Sequence, residues 1–252
     1  MKLLRRVFLL SALFALLCAC SAPAEDEWPW AIRNGSRDSN QIAITVDDCY
    51  DREKVREIFD LCVSEQVQVT FFPLGDQLKA EDAELWREIA ESPWAEIGSH
   101  TQHHNYFSVL TDDTIGIHLR RMPECLDEVL GYHYQITYVR PPFGNVTDDN
   151  GSTKRIRRIM AYWGYDHAIL WDVSQTDPDI AIKKVKNGSI LLYHARGKDY
   201  RCLQKLIPAL KEAGFEPVTI STLLGIEGTG IQPEATEEIP PEATVAPADE
   251  AV

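Results

Sequence analysis

Between residues 41 and 224, apolar residues follow two different periodicities along the chain. Some runs are short and rich in β-branched and aromatic residues, which predicts strands. Others place apolar residues three or four positions apart, which predicts amphipathic helices. The predicted strands cover 42–46, 67–72, 96–98, 134–139, 168–171, 190–193 and 216–219, and the predicted helices cover 53–64, 80–90, 111–130, 153–163, 178–185 and 200–213.

Strands that alternate with helices in this order predict a largely parallel sheet with the helices outside it. About seven or eight such units favour a closed or nearly closed β/α barrel over an open sheet. In such a barrel, functional side chains gather at the carboxyl ends of the strands. Conspicuous polar residues do follow strand ends here: Asp47 and Asp48, Ser99 and His100, Arg140, Asp172 to Asp177, and His194.

The amino terminus has the features of an export signal. Basic residues at positions 2, 5 and 6 precede an apolar run over 7–17, too short to span a bilayer, which needs about 20 residues. The run ends in Leu17-Cys18-Ala19-Cys20, which resembles the bacterial lipobox. That resemblance implies a signal peptide over 1–19 and a lipidated Cys20 that holds the protein at a membrane, outside the cytoplasm. An ordinary secretory signal cut nearby is the alternative.

Composition divides the rest of the chain. Residues 20–40 are mixed and predict a membrane tether, 41–226 predict one catalytic domain, and 227–252, rich in Pro, Glu, Ala and Thr, predict a disordered acidic tail. The net charge of -14 argues against nucleic acid as a partner. Four cysteines outside the signal show no zinc-ribbon spacing, so we expect mostly buried free thiols. We expect a monomer.

Two clusters carry the candidate chemistry. Asp47 and Asp48 are adjacent carboxylates at a strand end, where one can bind a metal while the other acts as a base, although an acidic turn would look the same. His100 can share a metal with His104 at i+4 or with His103 at i+3, and the pattern leaves that pairing open. Together with Asp48, either pair makes a two-histidine, one-carboxylate set with open positions. The alternative is a surface histidine cluster.

Four segments together resemble the ordered motifs of the NodB-homology polysaccharide deacetylases, carbohydrate esterase family four. They are TVDDC at 45–49, HTQHH at 100–104, RPPFG at 140–144 and LYH at 192–194, and the resemblance extends over about 41–224. It implies an irregular (β/α)7 barrel, a single catalytic domain. It also implies removal of N- or O-acetyl groups from an acetylated polysaccharide with one divalent metal, usually Zn²⁺.

The resemblance assigns roles on the metal side of the site. The metal ligands would be Asp48, His100 and His104, which selects the i+4 pair. Asp47 would be the base that deprotonates water, and Arg140 would hold Asp47 ionised and oriented, since a nearby positive charge favours the charged carboxylate.

On the substrate side, the resemblance assigns the oxyanion contact to the backbone N–H of Phe143. His194 would be the acid that protonates the leaving amine, with Asp177 orienting it. Leu192 would line the pocket for the acetyl methyl group.

The chain departs from the family pattern at two positions. Cys49 stands where the family usually has glycine, and Pro178 stands where it usually has tryptophan. Trp163 and Trp171 are candidates for the missing aromatic wall, but we expect both in the core.

Three functions remain in competition. The first is deacetylation of an extracytoplasmic polysaccharide such as peptidoglycan, most simply of its N-acetyl groups. The second is a non-catalytic carbohydrate-binding lipoprotein, and the third is a deacetylase or amidase of a small non-sugar amide. A long open cleft with exposed aromatics would favour the polymer, and a closed pit would favour the small amide.

Overall fold

The computed structural model describes residues 30–232. Within them the strands are β1 (Ala31–Ile32), β2 (Gln41–Asp48), β3 (Val69–Pro73), β4 (Ala95–Ile97), β5 (Tyr134–Gln135), β6 (Tyr138–Val139), β7 (His167–Ile169), β8 (Ile190–His194), β9 (Glu216–Val218) and β10 (Gly230–Ile231). The helices are α1 (Arg52–Glu65), α2 (Ala83–Glu91), α3 (Asp112–Leu130), α4 (Lys154–Tyr162), α5 (Pro178–Lys184), α6 (Gly197–Glu212) and α7 (Ile220–Leu224).

Six parallel strands form a ring in the order β2, β3, β4, β6, β7, β8. Regular pairing joins β2 to β3 and to β8, β3 to β4, and β6 to β7. Two isolated parallel bridges complete the ring, one between Ser99 and Val139 and one between Val173 and Leu191. β1 pairs with β7, and β9 pairs with the start of β2. The predicted fold class, an irregular β/α barrel, is confirmed.

The alternation of side chains along β2 separates two apolar layers. Ile42, Ile44 and Val46 belong to the larger cluster, which includes the buried faces of the helices. Ala43 belongs to the smaller cluster with Phe72, Tyr138, Ile169 and Ile190 from other strands of the ring. Thr45 and Asp47 continue the series begun by Ala43, so the barrel interior becomes polar toward the carboxyl ends of the strands.

The longest helix shows how local sequence sets these boundaries. α3 begins after Thr111, whose side chain accepts a hydrogen bond from the backbone N–H of Thr114, and it ends at Gly131 in the left-handed region. Ile115, Leu119 and Met122 recur at helical spacing and are buried. α3 thus packs its apolar face toward the barrel.

The structure moves three predicted boundaries. Ile32 in β1 is buried, so residues 30–40, assigned to the tether, belong to the folded domain. β10 pairs antiparallel with β5, so residues 227–232, assigned to the tail, also belong to it. The strand predicted over 134–139 is two short strands with different partners.

The signal peptide, Cys20, the start of the tether and the tail beyond residue 232 lie outside the described residues. Among residues 30–232, no helix has the length and apolar character needed to span a membrane.

Candidate metal centre and active site

The loops at the carboxyl end of the barrel hold strained backbone. Within residues 30–232, five residues other than glycine have positive φ angles, and four of them lie in these loops: Asp48 at 67°, Cys49 at 60°, Thr101 at 69° and Phe143 at 60°. Such conformations cost on the order of 1–3 kcal/mol each and cluster at functional sites. Cys49 adopts an angle that glycine would adopt without strain. The surrounding packing therefore holds this backbone in place.

Asp48, His100 and His104 lie together with their ligand atoms within 4.8 Å of one another. The Nε2 atoms of both histidines are 3.4 Å from Oδ1 of Asp48. This oxygen is buried and has no hydrogen-bond partner among residues 30–232. A buried polar atom without a partner is costly, and a divalent cation between it and two imidazole nitrogens would remove that cost. The donor set fits zinc and similar metals.

His103 lies outside this group. Its Nδ1 is 3.0 Å from Oδ2 of Asp76, and its side chain is 52% exposed. The structure therefore brings together the i+4 pair, His100 with His104.

The orientation of His100 is fixed by the backbone of Arg140. Nδ1 of His100 is 2.7 Å from the Arg140 carbonyl oxygen, which can only accept, so Nδ1 carries the proton and Nε2 offers its lone pair to the site. Burial lowers the pKa of His104, helped by the charge of His100. Burial raises the pKa of Asp48, but the interaction with the neighbouring His100 outweighs it and the pKa stays below its usual value. These shifts favour the protonation states that bind a metal.

Asp47 and Arg140 form an ion pair inside the barrel. Nη1 of Arg140 is 2.6 Å from Oδ1 of Asp47, and the guanidinium is completely buried. Its N–H groups also donate to three other oxygens, the hydroxyl of Thr45 and the carbonyls of Ile169 and Leu170. Arg140 therefore holds Asp47 in one orientation and balances its charge where water cannot.

His194 ends β8 directly beside Asp47 on β2. Its side chain is 29% exposed, and its Nε2 is 3.9 Å from Oδ2 of Asp48. Asp177, expected to orient His194, instead caps α5 by accepting hydrogen bonds from the N–H groups of Asp179 and Ile180. A different carboxylate, that of Asp199 in the first turn of α6, lies near His194. Burial raises the pKa of Asp199, and the charge of His194 opposes that effect.

Phe143 and Leu192, the two residues predicted to contact the substrate, lie on different elements: Phe143 follows β6 and Leu192 is part of β8. The Phe143 side chain is half exposed, and its N–H donates no hydrogen bond recorded within residues 30–232, which leaves it available to an oxyanion. The Phe143 ring contacts the ring of His104 edge to face and stacks on Tyr106, with ring centroids 4.2 Å and 3.7 Å away. Leu192 is buried on β8 opposite Thr45.

Both tryptophans were expected in the core, but neither lies fully within it. Trp163 is partly exposed, and its indole lies against Gly116 of α3. Trp171 is partly buried near the guanidinium of Arg140, with its ring 5.9 Å away. The cysteine prediction is confirmed for the described residues, since all four are free and only Cys125 is not fully buried.

Sequence reasoning missed three residues around the site. Arg196 lies with its Nη2 3.3 Å from Oδ2 of Asp48, Tyr106 supports Phe143, and Asp199 lies near His194. Arg196 follows the end of β8 by two residues, so its place at a strand end was the available signal. The other two became visible only through tertiary contacts.

Comparison with known proteins places this geometry in a family. The family model named polysaccharide deacetylase matches residues 34–179, more than half of the chain. The chain belongs to the polysaccharide deacetylase family. A peptidoglycan-N-acetylglucosamine deacetylase of Bacillus cereus is 27% identical over 210 residues, covering 77% of this chain and 92% of that protein. The peptidoglycan-N-acetylmuramic acid deacetylase PdaC of Bacillus subtilis is 26% identical over 193 residues, covering 74% and 39%.

Solved structures of this deacetylase fold include both enzymes and pseudoenzymes. The Bc1960 peptidoglycan N-acetylglucosamine deacetylase superposes with a TM-score of 0.68 at 22% identity, covering 78% of this chain and 94% of that one. A CE4 family pseudoenzyme from Bacillus anthracis superposes with a TM-score of 0.67 at 22% identity, covering 78% and 69%. These likenesses establish the shared fold, and activity has to be argued from the residues of the site.

Proposed function

We propose that this protein is a metal-dependent deacetylase that removes N-acetyl groups from an extracytoplasmic polysaccharide, with peptidoglycan as the first candidate. The observation that carries the proposal is the separation of two carboxylates. Asp48 directs an unpartnered oxygen at the two histidines, while Asp47 is paired with Arg140 instead. A binding site needs only the first arrangement, whereas hydrolysis also needs a base beside the metal ligands.

The chain supplies the groups that an amide hydrolysis requires. A divalent cation held by Asp48, His100 and His104 would polarise the acetyl carbonyl and make water more acidic. Asp47, held in place by its ion pair with Arg140, takes the proton from the attacking water.

The remaining groups act on the substrate. The N–H of Phe143 donates to the developing oxyanion. His194 gives a proton to the leaving amine, and Leu192 lies against the acetyl methyl group. Asp47 and His194 lie on the neighbouring strands β2 and β8, so the base can act on the attacking water while the acid acts on the leaving amine.

The test compares acetate release by the zinc-loaded protein and by Asp47→Asn. The substrates are N-acetylated chitooligosaccharides and purified peptidoglycan. We expect release by the wild type, loss of release on chelation, and a decrease in kcat of about 100-fold or more for Asp47→Asn. Zinc binding by the variant would show that its metal site is intact. Absence of acetate release by the wild type on every acetylated glycan would refute the proposal.

A non-catalytic carbohydrate-binding protein is the second candidate. Pro178 stands where the family usually has tryptophan, and it begins α5. The half-exposed Tyr106 and Phe143 rings beside His104 offer a surface on which a sugar ring could stack. Tight binding of zinc and glycan without acetate release would support this function. The open aromatic surface also supports a polymer over a small non-sugar amide.

We also propose that Cys20 is lipidated and anchors the protein to a membrane on its outer side. The support is the lipobox-like LCAC at 17–20 after a basic and apolar leader. Metabolic labelling with a fatty-acid analogue in a bacterial host should label the wild type and Cys18→Ala, but not Cys20→Ala. Equal labelling of both variants would contradict the assignment.

A further inference from the structure

Arg196 lies in the loop between β8 and α6, two residues after His194. Its Nη2 is 3.3 Å from Oδ2 of Asp48, whereas Oδ1 of the same carboxylate is 3.4 Å from the Nε2 atoms of His100 and of His104. The two oxygens of Asp48 thus serve different partners. Arg196 can keep its contact with Oδ2 while Oδ1 serves as a metal ligand.

Most of the Arg196 guanidinium remains available. Its side chain is 52% exposed, and Asp48 is its only recorded hydrogen-bond acceptor within residues 30–232. A guanidinium carries five N–H donors in a planar fork, and one of them meets Asp48. The free donors match the two oxygens of a carboxylate.

The charges around the site make this cation useful to one kind of substrate. Arg140 balances Asp47, and the divalent cation that Asp48 would help to hold balances Asp48, so Arg196 is a positive charge left free at the edge of the centre. A carboxylate on the sugar could pair with this guanidinium, whereas a neutral sugar would gain less from it. His104 lies on the Oδ1 side of Asp48, where its ring contacts Phe143, and Phe143 stacks on Tyr106. The centre is thus bordered by an aromatic surface and a free guanidinium.

We propose that Arg196 selects an acetylated sugar that bears a carboxylate beside its acetamido group, as a muramic acid residue with a free lactyl group does. The proposal rests on the proposed function, because it names the substrate class of that same site. The acetamido and lactyl groups occupy adjacent ring carbons. An acetyl carbonyl at the metal ligands therefore brings the carboxylate within reach of a guanidinium that contacts one of those ligands.

The experiment uses one oligosaccharide in two forms. Peptide-free oligomers of N-acetylglucosamine and N-acetylmuramic acid are prepared with the lactyl carboxylate free or converted to its carboxamide. The ratio of kcat/KM for the two forms is measured for the zinc-loaded wild type, Arg196→Gln and Arg196→Lys. Because the ratio compares two substrates of one enzyme, it cancels general effects that act through Asp48. Lys198→Gln is the matched control, since it removes a neighbouring exposed charge.

We expect the wild type to prefer the carboxylate form by about 10-fold or more, as a charge-assisted pair implies. Arg196→Gln should abolish the preference, Arg196→Lys should keep part of it, and Lys198→Gln should leave it unchanged. A second readout is calorimetric binding of both forms to Asp47→Asn, with and without Arg196→Gln. There the added substitution should weaken binding of the carboxylate form alone. Zinc affinity is measured in each variant to show that the metal site is intact.

The outcomes separate the two proposals. If the wild type shows no preference, or Arg196→Gln keeps it, selection by Arg196 is refuted while deacetylation stands. If neither these oligomers nor chitooligosaccharides release acetate, the proposed function is refuted. Carboxylate-dependent binding to Asp47→Asn that requires Arg196 would then still support recognition of the acidic sugar.

Discussion

Replacing Arg140 by methionine should destabilise the fold far more than replacing its partner Asp47 by asparagine. Methionine fills much of the same space but donates no hydrogen bond. It would leave the buried carboxylate of Asp47 without a cation, and the Thr45 hydroxyl and the Ile169 and Leu170 carbonyls without a donor. Asp47→Asn would leave Arg140 with those three acceptors and offer it an amide oxygen as a fourth.

The magnitudes follow from these contacts. Removing one partner of a buried ion pair costs about 3–5 kcal/mol, and each buried acceptor left without a donor adds to it, so we expect a loss of about 4–6 kcal/mol for Arg140→Met. For Asp47→Asn we expect about 1–3 kcal/mol, because an ion pair becomes a hydrogen bond from the charged guanidinium to a neutral amide oxygen. A domain with a typical stability of about 5–15 kcal/mol would come close to unfolding in the first case.

Urea unfolding, followed by circular dichroism near pH 7 with a chelator present, measures both losses without a contribution from metal binding. Asp47→Leu combined with Arg140→Met removes both charges and should be more stable than Arg140→Met alone. If Arg140→Met costs less than about 1 kcal/mol, or no more than Asp47→Asn, the reasoning about the buried pair is wrong.

Three further predictions concern the metal, the barrel interior and the aromatic surface. Zinc at about 100 times its Kd should stabilise the protein by about 2.7 kcal/mol, which corresponds to a rise in Tm of roughly 5–10 °C. Chelation should reverse this rise, His100→Asn should abolish it, and His103→Asn should keep it. Burial raises the pKa of Glu96 above its ordinary value of 4.5, so the stability that its protonated carboxyl contributes falls as the pH rises above that value. Urea unfolding at a series of pH values should therefore show Glu96→Gln gaining stability relative to the wild type as the pH rises. Tyr106→Ala should raise KM for chitooligosaccharides several-fold with a smaller change in kcat, whereas Tyr162→Ala, on the distant surface of α4, should change neither.

The reactive side of the site follows from sequence because parallel strands bring their carboxyl ends to one edge. Asp47 and His194 lie far apart in the chain, yet each directly follows a predicted strand, and the two strands are neighbours in the ring. The same logic correctly placed Asp48, His100 and Arg140 close together. Sequence motifs and strand topology together therefore predict most of the metal centre.

Other features depend on contacts that periodicity does not encode. β1 and β10 are two residues long, too short to show any alternation. The segment 134–139 is apolar enough for one strand, but its two halves pair with different partners. Asp177 precedes Pro178, which is a typical helix start, and that local role occupies the carboxylate that the family resemblance assigned to His194.

Arg140 supports two parts of the site through two different groups. Its guanidinium holds Asp47, while its backbone carbonyl fixes the tautomer of His100. Substitution changes the first group and leaves the second in the chain. A member of this fold could thus lose its base and still orient its metal ligands. Zinc binding is therefore a poor indicator of catalytic activity among such proteins. A single substitution in the barrel interior is enough to convert an enzyme into a binding protein.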